Sequence, residues 1–198
     1  MQTGVARPQA SEEWRASIIQ RLGAAHALWQ QGVDDLTTAQ LNHFERPGVL
    51  PIAFTLMHYV VGEDRNAAKF LGAGALLWDE QEWAKRVGLV GEPPMRGTPM
   101  ADAERIRIGD VDAWRLYQTA VFARTESALG SLPLGRFSEE AMDRPPATAL
   151  KGAFIALLVP EGEIRVSDVC EAYLFQHSVR HLGELEHARA LVGLGGLS

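Results

Sequence analysis

Apolar residues recur along most of this chain with the spacing of an amphipathic α-helix. The first helix is predicted from Ser11 to about Gln31, because its apolar positions repeat every three or four residues. This apolar face carries Trp14, Ile18, Leu22, Ala25 and Trp29. Ser11 is a suitable N-cap, and Glu12 and Glu13 place negative charge in the first turn, where the helix dipole favours it. Gly32 follows as the predicted end of the helix.

The second predicted helix runs from Pro51 to about Leu71 and is apolar on nearly every side at its start. A proline suits the first turn of a helix, because its missing N–H would have no partner there. Between Leu50 and Val61 the chain has no Asp, Glu, Lys or Arg, and His58 lies in the middle. The stripe that contains His58 also contains Phe54, Val61 and Arg65. A helix that is apolar all round is typical of a buried position.

Two further helices are predicted in the second half of the chain. The third runs from about Asp110 to Ser131. Its apolar face carries Val111, Trp114, Tyr117, Val121 and Ala128. The fourth begins at Ser167 as N-cap, has Asp168 in its first turn and ends at Gly193. Four helices of roughly twenty residues, each about 30 Å long, predict an all-α four-helix bundle.

Long connections separate the second, third and fourth predicted helices. The segment from Gly72 to Gly109 is rich in glycine and proline, with a short helical stretch at 78–87, and is predicted to be a crossover. The segment from Pro133 to Arg165 is a second long connection, in which 149–159 fits either a short helix or a strand. A chain of 198 residues suits one domain, so residues 1–198 are expected to form a single bundle.

Charge and cysteine content exclude several classes of protein. The net charge is −6 and no cluster of lysine or arginine occurs, which argues against nucleic-acid binding. The sequence contains no run of about eighteen apolar residues, so no membrane span is predicted. Met1 to Ser11 lacks the apolar core of a signal segment. Cys170 is the only cysteine, so no intramolecular disulfide is expected, and the thiol is predicted to be a small buried group. A cytoplasmic protein is therefore expected.

Two histidines one turn apart on the fourth helix are the strongest chemical signal. At about 100° per residue, His181 lies about 40° around the helix from His177, and Glu184 about 20° to the other side. The same face carries Tyr173, Ala188 and Leu191, which makes it a core face. Unpaired polar groups in a core are costly, so two imidazoles and a carboxylate that point inward need a partner.

His58 in the buried second helix is the natural complement of this pair. A single core histidine is more often hydrogen-bonded to a carbonyl than bound to metal, but the pair His177 and His181 favours a shared ion. Three neutral nitrogens leave coordination positions open, as in catalytic zinc sites, and nickel, manganese or iron also fit this ligand set. Such an ion can activate bound water near neutral pH, or hold and deprotonate a thiol cofactor.

Two charged residues near the predicted site each have more than one interpretation. Glu184 is interpreted as a fourth ligand, as an acceptor for an imidazole N–H, or as a packing partner between helices, and the acceptor role is favoured. Arg65 either pairs with Glu184 or Glu63, or meets an anion of the substrate, and the structural pairing is favoured.

The remaining aromatic and histidine residues are assigned structural positions. His177, His181 and His187 have the spacing of a long zinc-protease motif. That motif requires a catalytic glutamate where this chain has Ser178, and His187 points about 120° away from His181, so the protease interpretation is rejected. The other histidines are expected at the surface or its boundary, and two tryptophans are expected to cover the bundle. These residues are His26, His43 and His187, and Trp78 and Trp83.

The end of the chain resembles the DinB-like (DNA-damage-inducible) metal-binding superfamily. The resemblance is carried by His177-x-x-x-His181-x-Gly183-Glu184, followed by Leu185, Arg189 and Gly193-Leu194-Gly195-Gly196. His58, in a second helix that follows a loop with proline and glycine, completes the pattern. As motifs, the match covers the last two dozen residues and the region around His58, and as an arrangement of helices it covers most of the chain.

This resemblance implies a fold, a metal and a chemistry. The fold is a four-helix bundle with up-down-down-up topology, often a homodimer, with a three-histidine site commonly occupied by zinc or nickel. Members with known activity are thiol-dependent transferases and isomerases that use mycothiol or bacillithiol, and related domains serve in ergothioneine biosynthesis. Many other members have no assigned activity. The long connections of this chain depart from the shortest members, so its pocket chemistry does not follow from the resemblance.

Two functions are therefore carried forward. The first is a metal-dependent S-transferase or hydrolase in which bound water or a low-molecular-weight thiol attacks a small electrophile. The second is a non-catalytic protein that binds a metal or a small molecule in a stress response. In either case a small molecule or thiol is the expected partner, and no catalytic residue beyond the ligands is assigned.

Overall fold

The computed structural model describes residues 11–197, and the expectation about a signal segment at Met1 to Ser11 lies almost wholly outside this range. The described chain is predominantly helical, which agrees with the predicted all-α class. It also contains two short strands. Among the helices of residues 11–197, none is both long and apolar enough to cross a membrane.

The first helix, α1 (Glu12–Asp34), begins as predicted: the Ser11 hydroxyl accepts the Trp14 backbone N–H at 3.2 Å. The prediction that it ends at Gly32 is wrong, because the helix continues for two more residues. Gly32 is buried against the last helix, where an added Cβ would lie 2.8 Å from Leu185 Cδ2. The glycine therefore permits a close approach of two helices, which a sequence pattern cannot distinguish from a helix end.

The second long helix is built from three consecutive segments. A single turn, α2 (Thr38–Leu41), precedes it. Then α3 (Ile52–Leu56), a π-helical turn (Met57–Val61) and α4 (Gly62–Phe70) follow without a break. We call them together the 52–70 helix. Pro51 lies just before it as N-cap. Most of its residues between 52 and 61 are buried, which confirms the prediction of a helix inside the core.

The connection at 71–110 has little regular structure, as predicted. It contains α5 (Leu77–Glu80), α6 (Trp83–Arg86), α7 (Met100–Ala103) and an isolated β-bridge between Val90 and Arg107. The carboxylate of Asp64 accepts the Trp78 backbone N–H at 3.0 Å and so anchors the start of α5. Trp78 and Trp83 are buried, with ring centroids 5.1 and 5.3 Å from that of Tyr117, which confirms their predicted role as cover.

The third long helix, α8 (Val111–Ser131), is capped by Asp110, whose side chain accepts the Ala113 N–H at 2.9 Å. A second irregular connection follows. It consists of a 3₁₀-helix (Leu134–Ser138), β1 (Glu140–Met142), α9 (Ala147–Leu150), α10 (Phe154–Leu158) and β2 (Ile164–Arg165). The segment left open between helix and strand is thus helical at 154–158. The antiparallel pair of β1 and β2 was not expected from the sequence.

The fourth long helix also contains a π-helical segment. It consists of α11 (Val166–Val169), the π-helical segment (Cys170–Gln176) and α12 (His177–Leu191), together called the 166–191 helix. The prediction of Ser167 as N-cap is wrong: the helix starts directly from β2 with Arg165 as N-cap, and Asp168 accepts the Arg165 N–H at 2.8 Å. Gly193, with φ +79°, follows the end of the helix as predicted.

The four long helices pack around one another in a consistent order. Contacts between α1 and α8 pair an early residue of one with a late residue of the other, as Arg15 with Leu132 and Gln30 with Thr119. Contacts between α1 and the 166–191 helix keep the same order, as Trp14 with Glu171 and Trp29 with Ser178. The 52–70 helix packs on both α8 and the 166–191 helix. Cys170 is wholly buried in this core, as predicted, and burial raises the pKa of its thiol.

Candidate metal centre

Three histidines from two helices converge on one point. His58 comes from the 52–70 helix, and His177 and His181 come from the first turns of α12. Each offers one imidazole nitrogen, and the three nitrogens all lie within 4.8 Å of one another. The rings stand nearly perpendicular, with centroids between 4.5 and 5.2 Å apart. This cluster could hold a metal ion, and it contains the three residues that the sequence singled out.

The spacing of two nitrogens matches that of ligands on a common ion. Nε2 of His58 lies 3.4 Å from Nε2 of His177. Two nitrogens about 2.1 Å from one tetrahedral ion lie about 3.4 Å apart. The same distance also permits a long hydrogen bond from one imidazole to the other, and it is the third imidazole nitrogen, within 4.8 Å of both, that favours a metal ion.

Glu184 lies against the third histidine. Its Oε2 is 2.6 Å from Nδ1 of His181, the contact expected for an acceptor that orients an imidazole. A carboxylate at Nδ1 holds the proton on that nitrogen and leaves Nε2 free as a ligand atom. Of the three interpretations of Glu184, this geometry favours the acceptor.

Both helices depart from α-helical geometry at this site. His58 lies within the π-helical turn at 57–61, and His177 directly follows the π-helical segment at 170–176. Such turns are often found at functional sites, because they rotate the side chains that follow them. Gly62 lies beside the site: a Cβ at Gly62 would lie 3.7 Å from Cε1 of His177. The sequence shows no sign of either π-helical segment.

Burial keeps all three imidazoles in their neutral form. Burial lowers the pKa of His58. Burial, together with repulsion from the neighbouring imidazoles, lowers the pKa of His177 to about 3, and burial with His58 does the same for the pKa of His181. Only a neutral imidazole has a lone pair to give to a metal, so at neutral pH the cluster needs no deprotonation before it binds one.

Two ring nitrogens at the site have no hydrogen-bond partner. Nδ1 of His58 and Nδ1 of His177 are buried and make no hydrogen bond within residues 11–197. The Pro94 carbonyl is nevertheless close enough to His58 to favour its charged form slightly. Phe54 stacks on the His58 ring with centroids 5.7 Å apart. The crossover connection and Phe54 thus form part of the wall around the cluster.

Two arginines lie near the histidines. Arg180 precedes His181, and its positive charge lowers the pKa of all three imidazoles; it approaches Glu184 only to 4.0 Å. The favoured pairing of Arg65 with Glu184 or Glu63 is wrong: within the described residues Glu63 contacts His26 and Tyr59, and Glu184 contacts His181 and Arg180. The charge of Arg65 also opposes protonation of His58. The alternative, that Arg65 meets an anion of the substrate, stays a prediction.

The prediction that His26 lies at the surface or its boundary is also wrong. The side chain is 2% exposed and lies between Glu63 and Glu126, while His43 and His187 are exposed as predicted. A signal was present in the sequence: His26 is four residues after Leu22 and therefore belongs to the apolar face of α1. That face is covered by the 52–70 helix and α8, which brings both glutamates to the imidazole.

Comparison with known proteins supports the fold only. No protein-family model matches the chain, and no curated protein matches it significantly. Among solved structures, the crystal structure of a conserved protein from Enterococcus faecalis is similar, with a TM-score of 0.70 and 17% sequence identity. The alignment covers 90% of this chain and 97% of that one. The chain therefore shares its helical architecture with a protein of known structure, and its function must be argued from the three histidines.

Proposed function

We propose that this chain belongs to the DinB-like superfamily and binds one divalent metal ion through His58, His177 and His181. The observation that carries the proposal is the convergence of three neutral imidazole nitrogens within 4.8 Å of one another. They come from two helices, and His58 is 119 residues from His177 in sequence. A carboxylate already oriented on His181 adds the second partner that metal-binding histidines usually have.

We also propose the up-down-down-up topology for the bundle. The order of the contacts supports it: α8 runs opposite to α1, and the 166–191 helix runs with α1. His58 contacts His181 while Asn66 contacts Tyr173, so the 52–70 helix runs opposite to the 166–191 helix. The second and third long helices are then parallel, which requires a long crossover such as 71–110.

Zinc or nickel is the proposed ion, on the strength of the family resemblance and of an all-imidazole ligand set; manganese and iron are the next candidates. When bound, the ion would act as a Lewis acid that activates water or a low-molecular-weight thiol. The chain itself contributes the remaining functions. Glu184 would keep the His181 proton on Nδ1, Phe54 and Pro94 would line the cluster beside His58, and Arg65 and Arg180 would supply positive charge for an anionic group of the substrate.

The proposed activity is therefore a metal-dependent S-transfer or hydrolysis that acts on a small electrophile. A non-catalytic metal- or small-molecule-binding role in a stress response is the second candidate. It is favoured by one observation: His181 is only 8% exposed, and the other two ligands are half-buried. A homodimer in the cytoplasm is part of the same proposal, and analytical ultracentrifugation tests the oligomeric state.

The metal site is tested with protein purified without a histidine tag. Elemental analysis and isothermal titration with Zn²⁺ and Ni²⁺ should give one ion per chain. The variants His177→Ala and His181→Ala should lose this binding, whereas His187→Ala, an exposed histidine of the same helix, should keep it. Equal binding by all three variants would refute the site.

The activity is tested next, on the metal-loaded protein. Conjugation or hydrolysis should be measured across a panel of electrophiles, with and without low-molecular-weight thiols. Saturable turnover that disappears in His177→Ala supports the enzyme. A stable metal complex without turnover across the panel supports the non-catalytic candidate.

A further inference from the structure

Behind the histidine cluster lies a buried chain of polar side chains that the proposed function does not use. Glu126 Oε1 is 2.6 Å from Nδ1 of His26, and Nε2 of His26 is 3.0 Å from Glu63 Oε1. The Tyr59 hydroxyl donates to Glu63 Oε2 at 2.5 Å. The chain thus leads from Glu126, whose side chain is 38% exposed, to the wholly buried Tyr59, the residue next to His58.

Two members of this chain, His26 and Glu63, are charged although they are buried. Burial alone would lower the pKa of His26, but Glu63 and Glu126 raise it to about 9. Burial alone would likewise raise the pKa of Glu63, but His26 and Tyr59 hold it below its ordinary value. A buried ion pair gains little net stability over an apolar pair of the same size. The stability of the fold is therefore a weak explanation for this arrangement.

The chain ends at the back of a metal ligand. The Tyr59 ring lies 5.7 Å from the His177 ring, between centroids, and stacks on Trp29 at 4.3 Å. The Trp29 indole N–H donates to the hydroxyl of Ser178, the residue that follows His177. The wall on which the His177 ring rests is therefore fixed by Tyr59, and Tyr59 is fixed by its hydrogen bond to Glu63.

Glu63 also acts on His177 through its charge. Its carboxylate raises the pKa of His177, against the dominant effect of burial, so the negative charge is felt at that ring. A divalent cation bound by three neutral ligands brings two positive charges into the same place, close to Arg180. A buried carboxylate behind the ring favours that cation for the same electrostatic reason.

We propose that Glu63 is a positioning and counter-charge residue of the metal centre, held in place by His26 and Glu126, so that metal affinity depends on a carboxylate that does not touch the ion. This inference rests on the proposed metal site. It assigns a purpose in metal binding to a buried ionic group that lies outside the ligand set.

The neighbouring Asp64 offers a matched control. Both carboxylates are 0% exposed, follow each other in α4 and have a cationic partner, which is His26 for Glu63 and Arg124 for Asp64. Asp64 faces the other way, toward Trp78 and the Tyr117 hydroxyl. Glu63 is among the main charges that shift the pKa of His177, whereas Asp64 is not among the main influences on the pKa of His58, His177 or His181. Asp64→Asn therefore shows how much metal affinity is lost when a buried carboxylate charge is removed away from the metal site.

The experiment compares the full chain with Glu63→Gln, Asp64→Asn and Tyr59→Phe. Zn²⁺ affinity is measured by chelator competition, the absorption spectrum of the Co²⁺ form reports ligand geometry, and metal-free melting temperatures report folding. Removal of a residue that supports metal ligands weakens binding about 10- to 100-fold, so Glu63→Gln should lose at least about tenfold and Asp64→Asn less than about threefold. Tyr59→Phe keeps the ring but lacks its anchor, and should shift the Co²⁺ spectrum.

Each outcome distinguishes this inference from the proposed site. If the unaltered protein binds neither Zn²⁺ nor Co²⁺, the proposed site itself fails. If that protein and all three variants bind alike, the site stands and the inference is overturned. An equal loss in Glu63→Gln and Asp64→Asn also overturns it, because the effect would then be general destabilisation. If Glu63→Gln does not fold, Tyr59→Phe decides: an unchanged affinity and Co²⁺ spectrum overturn the inference.

Discussion

Because of His26, the protein should become less stable as the pH becomes alkaline. Its pKa is about 9 in the folded protein, against an ordinary value of 6.5 for a histidine in an unfolded chain. A raised pKa means that the folded state binds the proton more tightly, so the stabilisation is complete below pH 6.5 and is lost as the pH rises toward 9. The free energy of unfolding should fall by on the order of 3 kcal/mol across this window.

Urea denaturation of the metal-free protein between pH 6.5 and 9 measures this loss. The control is His26→Gln, which keeps a hydrogen-bonding side chain but has no proton to release. Burial raises the pKa of Cys170, so its thiol ionises near pH 9 only in the unfolded chain and adds a small loss of stability at the end of the window; His26→Gln retains Cys170, and comparison with it removes this contribution. A free energy of unfolding that stays flat up to pH 9 in the unaltered protein would show that His26 is neutral.

Glu184 should contribute to metal affinity in two separable ways. Glu184→Ala removes both the charge and the acceptor at Nδ1 of His181, 2.6 Å away, and should weaken Zn²⁺ binding by about 10- to 100-fold. Glu184→Gln keeps an acceptor oxygen and should lose less. Glu186→Gln, two residues further along the same helix, is the control. Equal affinity of Glu184→Ala and the unaltered protein would make the contact incidental.

The three clustered histidines could be singled out from the sequence, whereas their environment could not. The spacing of His177 and His181 fixes their common face in any α-helix, and the absence of charged residues around position 58 indicates burial. The prediction for His26 is wrong because histidines are generally expected near the surface, although the spacing of His26 from Leu22 puts it on the apolar face of α1. The partners of His26 come from two other helices, and no local pattern indicates which residues those helices bring to it.

Helix boundaries were predicted well where capping chemistry decides them. Ser11 and Asp110 accept the N–H groups that their positions suggest, and Gly193 takes the positive φ that ends a helix. The errors occur where packing decides. Gly32 continues a helix because it lies against Leu185, and β2 leads directly into α11, so Ser167 is not needed as a cap.

Gly183 lies in the interior of α12, between His181 and Glu184, which contact each other. No close packing requires a glycine at this position. An added Cβ there meets nothing within 4 Å, and the residue is exposed. Because alanine loses less backbone entropy in a helix, Gly183→Ala should stabilise the metal-free protein by about 0.5–1 kcal/mol. Thermal or urea denaturation measures this gain, and Gly130→Ala, at an equally open position of α8, is the comparison. A lower stability would show that α12 must bend or approach a partner at this point.

Across the whole molecule, different kinds of group connect the long helices. Where α1 and α12 end, Arg189 donates to the Gly32 and Gly195 carbonyls and pairs with Asp35 at 2.5 Å, so an arginine of the last helix connects it to the first. The histidine cluster makes another long-range connection, between the 52–70 helix and the 166–191 helix. The all-α class could be predicted from periodicity, but such connections need the folded chain.

A metal ion at the cluster would therefore join two helices whose ligands, His58 and His177, are 119 residues apart in sequence. The unfolded chain does not hold these ligands together, so binding energy adds to folding stability. At a free ion concentration about 100 times Kd the gain is about 2.7 kcal/mol, which should raise the melting temperature of a chain this size by about 5–10 °C. The increment should grow with the logarithm of ion concentration and should be absent in His58→Ala, which loses the ligand from the 52–70 helix. His43→Ala, an exposed histidine outside the cluster, should keep the full increment. If Zn²⁺ and Ni²⁺ leave the melting temperature unchanged, the three imidazoles do not act as one binding site.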